Sequence, residues 1–177
     1  YELPIIFVIA GIGILAQSLN LVTIVENQVL VPYVILQPLG FAIFLVAGLA
    51  EVGRTPFDIP QAESEVVGGP FVEYTGMRWA IFFLAEYANT FFIAVLGALL
   101  FLGGWAGPFS EWSLSIQPPQ FLEMEPLVFY PLQPLWLLLK VAVLTLVIFW
   151  NRGTLPRLRI DQLMSFAWTV LLPLSFL

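Results

Sequence analysis

Between residues 51 and 78 the chain reads EVGRTPFDIPQAESEVVGGPFVEYTGMR, which gathers five carboxylates, Glu51, Asp58, Glu63, Glu65 and Glu73, between two apolar runs. Arg54 and Arg78 stand towards its two ends. Like charges crowded beside an apolar layer bind and release protons as a coupled set, so the chemistry this loop offers is proton uptake and release. Part of the cluster also has local structural work. Asp58 followed by Gln61 fits a helix N-cap with its capping-box partner, and Pro60 suits a first turn whose N–H would be unpaired anyway. In a helix starting there, Glu63 and Glu65 point to nearly opposite sides and do not share one small site. Gly68 and Gly69 before Pro70 end it.

Glu86 is the second candidate. It lies seven residues into an apolar run, about 10 Å below the surface at about 1.5 Å per residue, where an ionisable group faces a bundle interior or a wet pathway. Lys140, the one charge in a later apolar run, is a candidate partner; it enters from the opposite face, so its depth matches that of Glu86 only loosely and an ion pair needs its long side chain to reach inward. Glu2 opens the chain's first apolar run, and Arg152, Arg157 and Arg159 make a short basic connection suited to lipid headgroups or to docking an acidic partner. The chain has no His and no Cys. Haem, iron–sulfur clusters, zinc sites, thiol catalysis and Ser-His-Asp triads are therefore excluded from this chain acting alone, and no catalytic or metal-ligating residue is assigned. Any redox cofactor belongs on another subunit.

The elements that must position these groups are helices in a membrane. Of 177 residues, 60% are hydrophobic and 10% charged, where a soluble domain shows about 45–50% and about 25%. Five apolar runs, 3–25, 29–50, 79–103, 135–150 and 163–177, predict an all-α, multi-pass membrane protein with the acidic loop 51–78 between its second and third helices. Residues 1–177 read as one such domain. Five crossings put the acidic loop and the basic connection 151–162 on one face and the Pro-rich segment 104–134, which has no Lys or Arg, on the other. The positive-inside rule then makes the Arg-containing face cytoplasmic. Trp79, Trp105, Trp136 and Trp150 sit near the run ends, as an interfacial belt requires. Gly11, Gly13, Ala16, Gly97, Gly103 and Gly104 offer close helix approach, and Pro32 and Pro38 should bend the second helix. Opening on Tyr1 inside an apolar run and closing on one of 15 residues, where a span needs about 17–25, the sequence reads as a piece of a longer chain. With six basic against twelve acidic residues, net charge −6, and no basic stripe, nucleic-acid binding is excluded.

Three strings, "EVGRTPFDIPQAESEVVGG" with "EYTGMR", "FFLAEYAN" (Phe82 to Asn89) and "LPRLRIDQLM" (Leu155 to Met164), closely resemble the quinone-chamber membrane subunit of respiratory complex I, called H in bacterial NADH:quinone oxidoreductase and subunit 1 in mitochondria. "SLNL" (Ser18 to Leu21) and "FLGGW" (Phe101 to Trp105) extend the resemblance along essentially the whole chain. It implies the C-terminal half of such a subunit, beginning within its fourth span, in a bacterial cell membrane or the equivalent organellar inner membrane. It also implies that Glu51, Arg54, Asp58, Glu63, Glu65, Glu73 and Tyr74 line the quinone chamber and its exit to the proton path. Glu86 would continue that path, and Glu2, next to Tyr1, would match a Tyr-Glu pair on it. Two departures stand out: Gln61 replaces a frequent Glu, and Gly69, Pro70 and Phe71 stand where relatives commonly carry Gly-Phe-His.

The resemblance implies quinone as substrate, no cofactor on this chain, and FMN and iron–sulfur clusters on partner subunits. It further implies peripheral-arm iron–sulfur subunits and small and antiporter-like membrane subunits as partners, with membrane lipids around them. The chain is expected to work as a translocase subunit that is not catalytic alone. Rival readings are the equivalent anchor subunit of a ferredoxin-dependent or hydrogenase-type complex and, in a different class, a stand-alone ion channel or transporter.

Overall fold

In apolar surroundings a backbone must satisfy its own hydrogen bonds, so the apolar runs form helices. The computed structural model describes residues 2–29, 31–57, 74–107, 114–116, 127–156 and 158–176. In chain order these form α1 (Glu2–Ala16), α2 (Leu21–Asn27), α3 (Tyr33–Leu36), α4 (Pro38–Val52), α5 (Met77–Phe101), β1 (Leu114–Ile116), β2 (Leu127–Phe129), α6 (Leu132–Thr154), α7 (Ile160–Phe166), a π-helical turn (Ala167–Leu171) and α8 (Leu172–Ser175).

Helix α4 packs against both α1 and α5, α5 against α6, and α8 returns to α1 and α4. Two glycines set this spacing. A Cβ on Gly48 of α4 would lie 2.9 Å from Ile93 Cγ2 of α5, and one on Gly97 of α5 would lie 3.1 Å from Phe44 and 3.2 Å from Leu144. Fully buried Phe44 and Phe101 fill the junction with ring centroids 5.5 Å apart. Gly97 thus serves the close approach expected of it, while Gly13 meets only Leu19 and Ser18 of its own segment.

Helices α5 and α6, of 25 and 23 residues, are long and apolar enough to cross a membrane, and α1 with α2, bent by 63°, makes a third if counted as one span. The first run is therefore not one straight helix. Gln17 takes φ 53°, Asn20 accepts the Val22 N–H at 3.1 Å as an N-cap, and Asn27 Nδ2 donates to the Ala16 carbonyl at 3.2 Å. A polar QSLN turn can break a helix inside an apolar run because its side chains replace the lost backbone partners. The second run breaks at Gln37, before Pro38, where the missing N–H and the ring's clash forbid continuation. Within the Pro-rich connecting segment, β1 and β2 pair antiparallel with Leu114 opposite Phe129. Three-residue strands are too short to carry an alternation signal.

The last turn of α5 would leave carbonyls unpaired. The N–H groups of Leu102 and Gly104 both reach the Ala98 carbonyl, at 3.2 and 2.9 Å. Buried Gln28, following α2, donates through Nε2 to Leu99 and Leu100 at 3.1 and 3.0 Å. Lys140 of α6 donates to Leu102 at 2.6 Å and to Ala106 at 2.5 Å.

Gly97→Val should drive Phe44 and Leu144 apart and lower the unfolding midpoint in mild detergent, at an overpacking cost of about 1–3 kcal/mol. Gly153→Ala, where an added Cβ meets nothing within 4 Å, should not lower it. Gln28→Leu, read by the same melting assay, should cost about 1–3 kcal/mol by stranding carbonyls at the end of α5.

Candidate functional site

Helix α4 ends in a Schellman turn. Gly53 adopts φ 65°, its N–H reaches the Ala50 carbonyl at 3.2 Å, and the Arg54 N–H reaches the Leu49 carbonyl at 3.2 Å. Only a glycine takes that conformation without strain, and the residue after it is turned back over the helix end. In most such turns that residue is apolar; here it is an arginine, 5% exposed. The chain then runs on to Phe57, whose N–H binds the Arg54 carbonyl at 2.8 Å, and the Pro56 carbonyl accepts from the Leu158 N–H at 2.9 Å. That bond joins Pro56, at the start of the acidic loop, to Leu158 in the α6–α7 connection.

The buried guanidinium meets α5. Arg54 Nη1 lies 3.3 Å from Glu86 Oε1, with side chains 6% and 15% exposed, so water screens the pair weakly. The face of the same guanidinium covers the Tyr87 ring, 4.3 Å from its centroid, a contact worth about 0.5–2 kcal/mol. Arg152, from the last turn of α6, faces the Tyr87 hydroxyl. Buried Thr90, one turn deeper, donates to the Glu86 carbonyl at 2.9 Å. Arg54 Nε and Nη2 are buried with no hydrogen-bond partner among the described residues. A guanidinium carries five N–H donors, so this one can take a further oxygen acceptor, either carbonyl or carboxylate.

Glu86 therefore pairs with Arg54 and not with Lys140, the candidate partner in the sequence. Lys140 sits beside the far end of α5, where its ammonium binds carbonyls; Glu86 and Leu102 are sixteen residues apart, about 24 Å along a helix. Of the other expected residues, Glu51 is exposed near the end of α4, and Tyr74 is partly exposed with its ring 5.0 Å from Phe82. Glu2 opens α1 with its side chain exposed. Arg159 is exposed and forms a 3.7 Å surface pair with Asp161. Asp58, Glu63, Glu65, Glu73 and Arg157, together with the helix expected from Asp58, lie outside the described residues. Tyr87 was not singled out in sequence; its one signal is its place beside Glu86 in FFLAEYAN.

The whole chain, residues 1–177, matches the NADH dehydrogenase family. It is 48% identical over 175 residues to the H subunit of NADH-quinone oxidoreductase from Geobacillus kaustophilus, an alignment covering 99% of this chain and 47% of that one. To the H subunit of Brevibacillus brevis it is 47% identical, again over 99% of this chain and 47% of the other. To that of Geobacillus sp. (strain WCH70) it is 44% identical over 100% and 48%. The chain thus spans about half the length of the curated relatives it matches.

Arg54→Met removes the cation 3.3 Å from the largely buried Glu86 carboxylate, which should cost about 3–5 kcal/mol of stability in a detergent melt. Combining it with Glu86→Gln should recover most of that loss. A double variant no more stable than the single one would show that the two side chains are not coupled.

Proposed function

The chain belongs to the NADH dehydrogenase family, and we propose from that membership that it works as part of the H subunit of a proton-translocating NADH:quinone oxidoreductase, respiratory complex I. In this reading the five apolar runs are five crossings of a bacterial cell membrane or the equivalent organellar inner membrane. The end that carries Arg54, Glu86 and Tyr87 faces the peripheral arm and lines the quinone chamber with it. Electrons arrive from iron–sulfur and FMN-bearing partner subunits, and quinone is the substrate. This chain contributes binding, electrostatics and a proton route rather than a cofactor.

The observation that carries the reading is the buried Arg54–Glu86 pair at the point where the acidic loop leaves α4. A quinone that accepts two electrons must also accept two protons, and its oxygens become stronger hydrogen-bond acceptors as they gain charge. The Nε and Nη2 of Arg54, which have no hydrogen-bond partner among the described residues, suit such an oxygen. A guanidinium drawn towards it holds Glu86 less tightly, which frees the carboxylate to take other partners. Glu51, Asp58, Glu63, Glu65, Glu73 and Tyr74 would feed protons to that point. Glu86 and Glu2 would pass them on between helices towards the antiporter-like subunits, and Arg152, Arg157 and Arg159 would lie against the docked partner. Two arrangements of the Arg54–Glu86 pair, biased by the redox state of the quinone, are the coupling element.

Glu86→Gln, introduced into the native assembly in lipid, should lower NADH-driven quinone reduction and proton pumping together by about 5- to 150-fold, the range of a coupling of about 1–3 kcal/mol. Wild-type turnover and pumping in that variant would overturn the assignment. Mass spectrometry of the purified assembly should find flavin and iron–sulfur subunits with the chain.

A further inference from the structure

Helices α5 and α6 run antiparallel and touch at three heights. Lys140 of α6 meets the carbonyl of Leu102 at the end of α5, Leu144 meets Gly97, and Arg152 meets the Tyr87 hydroxyl. Position rises along α6 as it falls along α5, so the three contacts belong to one register. They do not fix it equally. At Gly97 an added Cβ would lie 3.2 Å from Leu144; this apolar contact sets how closely the helices approach, but it has no directional bond to stop one sliding along the other. At Tyr87 the partner is an exposed arginine, and beside it Glu86 holds Arg54 through one 3.3 Å contact.

At Lys140 the bonds are short, directional and charge-assisted. Its ammonium donates to Leu102 at 2.6 Å and to Ala106 at 2.5 Å, the first of these at the helix end where the dipole of α5 collects negative charge. The segment it grips is closed in on other sides: a Cβ on Gly107 would lie 2.7 Å from the ring of Trp136, one turn before Lys140 on α6, and one on Gly103 would lie 3.4 Å from Gln28 Cβ. Gln28 ties the same end of α5 to the turn after α2 through Leu99 and Leu100. Lys140 is thus the group that ties it to α6. A helix carries an axial shift from one end to the other, because its hydrogen bonds run along its axis, and a slip of one residue is about 1.5 Å. That is enough to break or remake the 3.3 Å contact of Glu86 with Arg54, about 24 Å away along α5. We propose that Lys140 is a positioning residue for the Arg54–Glu86 site: by gripping the carbonyls at the end of α5 it fixes the register of α5 against α6, and with it the depth at which Glu86 and Tyr87 meet Arg54 and Arg152. It acts through the helix rather than on any reacting group, and the proposal stands whether or not the quinone reading holds.

The test is a mutant cycle in the native assembly in lipid, with the unfolding midpoint of this chain read from the protease sensitivity of its peptides across a temperature ramp. Sites more than about 10 Å apart ordinarily act independently. Lys140→Met should lower the midpoint by several degrees, and by less than half as much in a background that already carries Arg54→Met and Glu86→Gln, where no ion pair remains to be misplaced. Equal shifts in the two backgrounds would overturn the proposal, since Lys140 would then only satisfy local carbonyls. Lys140→Arg, which keeps the charge and the donors, should restore most of the midpoint, and Lys140→Gln gives the same comparison should the methionine variant fail to assemble. NADH-driven quinone reduction in the same samples should fall several-fold in Lys140→Met and recover in Lys140→Arg. A midpoint coupled to the ion pair with turnover unchanged would support the register and overturn the quinone reading instead.

Discussion

A cation shut inside an apolar bundle must be met by the protein itself, and the guanidinium of Arg54 is that cation here. Its position follows from backbone geometry. Gly53, with its positive φ, turns the chain at the end of α4 so that the next side chain points back into the bundle. Glu86 and Tyr87 are consecutive on α5, and the guanidinium reaches both, the carboxylate at its edge and the ring beneath its face. That contact needs α4 and α5 close together, and Gly48 and Gly97 allow it. Taking charges out of water costs several kcal/mol per ion, so a lone arginine at this point would not persist. The pair persists because each ion is the other's main compensation.

The two ends of α5 meet the same requirement by different means. At the Arg54 end an arginine and a glutamate meet at 3.3 Å, a pair that a change in nearby charge can redistribute. At the other end the groups are neutral carbonyls, held by an amide from Gln28 and an ammonium from Lys140. Side chains of α6 and of the turn after α2 thereby anchor α5 where no charge pair exists among the described residues. A helix fastened by fixed donors at one end and by an adjustable ion pair at the other is suited to movement at the adjustable end, which is where the proposed quinone chemistry lies.

Breaks in the apolar helices obey the same rule. After α1, the polar residues Gln17 to Asn20 and Asn27 supply the missing partners from within the chain. At Gln37 the following proline removes one donor outright, so one N–H fewer needs a partner at the start of α4. The two breaks look alike in a hydropathy profile and differ entirely in how their polar groups are satisfied.

Much of this was legible in the order of residues. The apolar helices, the interruption before Pro38, and Glu86 as an ionisable group within a helix all follow from local properties: transfer free energy and the chemistry of proline. Family membership was legible because FFLAEYAN and its companion strings are long and uncommon. The partner of Glu86 was not legible. Lys140 and Arg54 are equally charged and each belongs to a neighbouring segment, and only the antiparallel placement of the helices puts the arginine beside the carboxylate and the lysine about 24 Å further along α5. Tyr87 and Gln28 went unnoticed for the same reason, since a phenol or an amide becomes informative only once its neighbours in space are known. The sequence by itself determined which segments avoid water and where a charge must be buried among them. The tertiary structure alone decided which groups answer that charge, because pairing depends on depth and helix approach, and neither is a property of a residue and its neighbours along the chain.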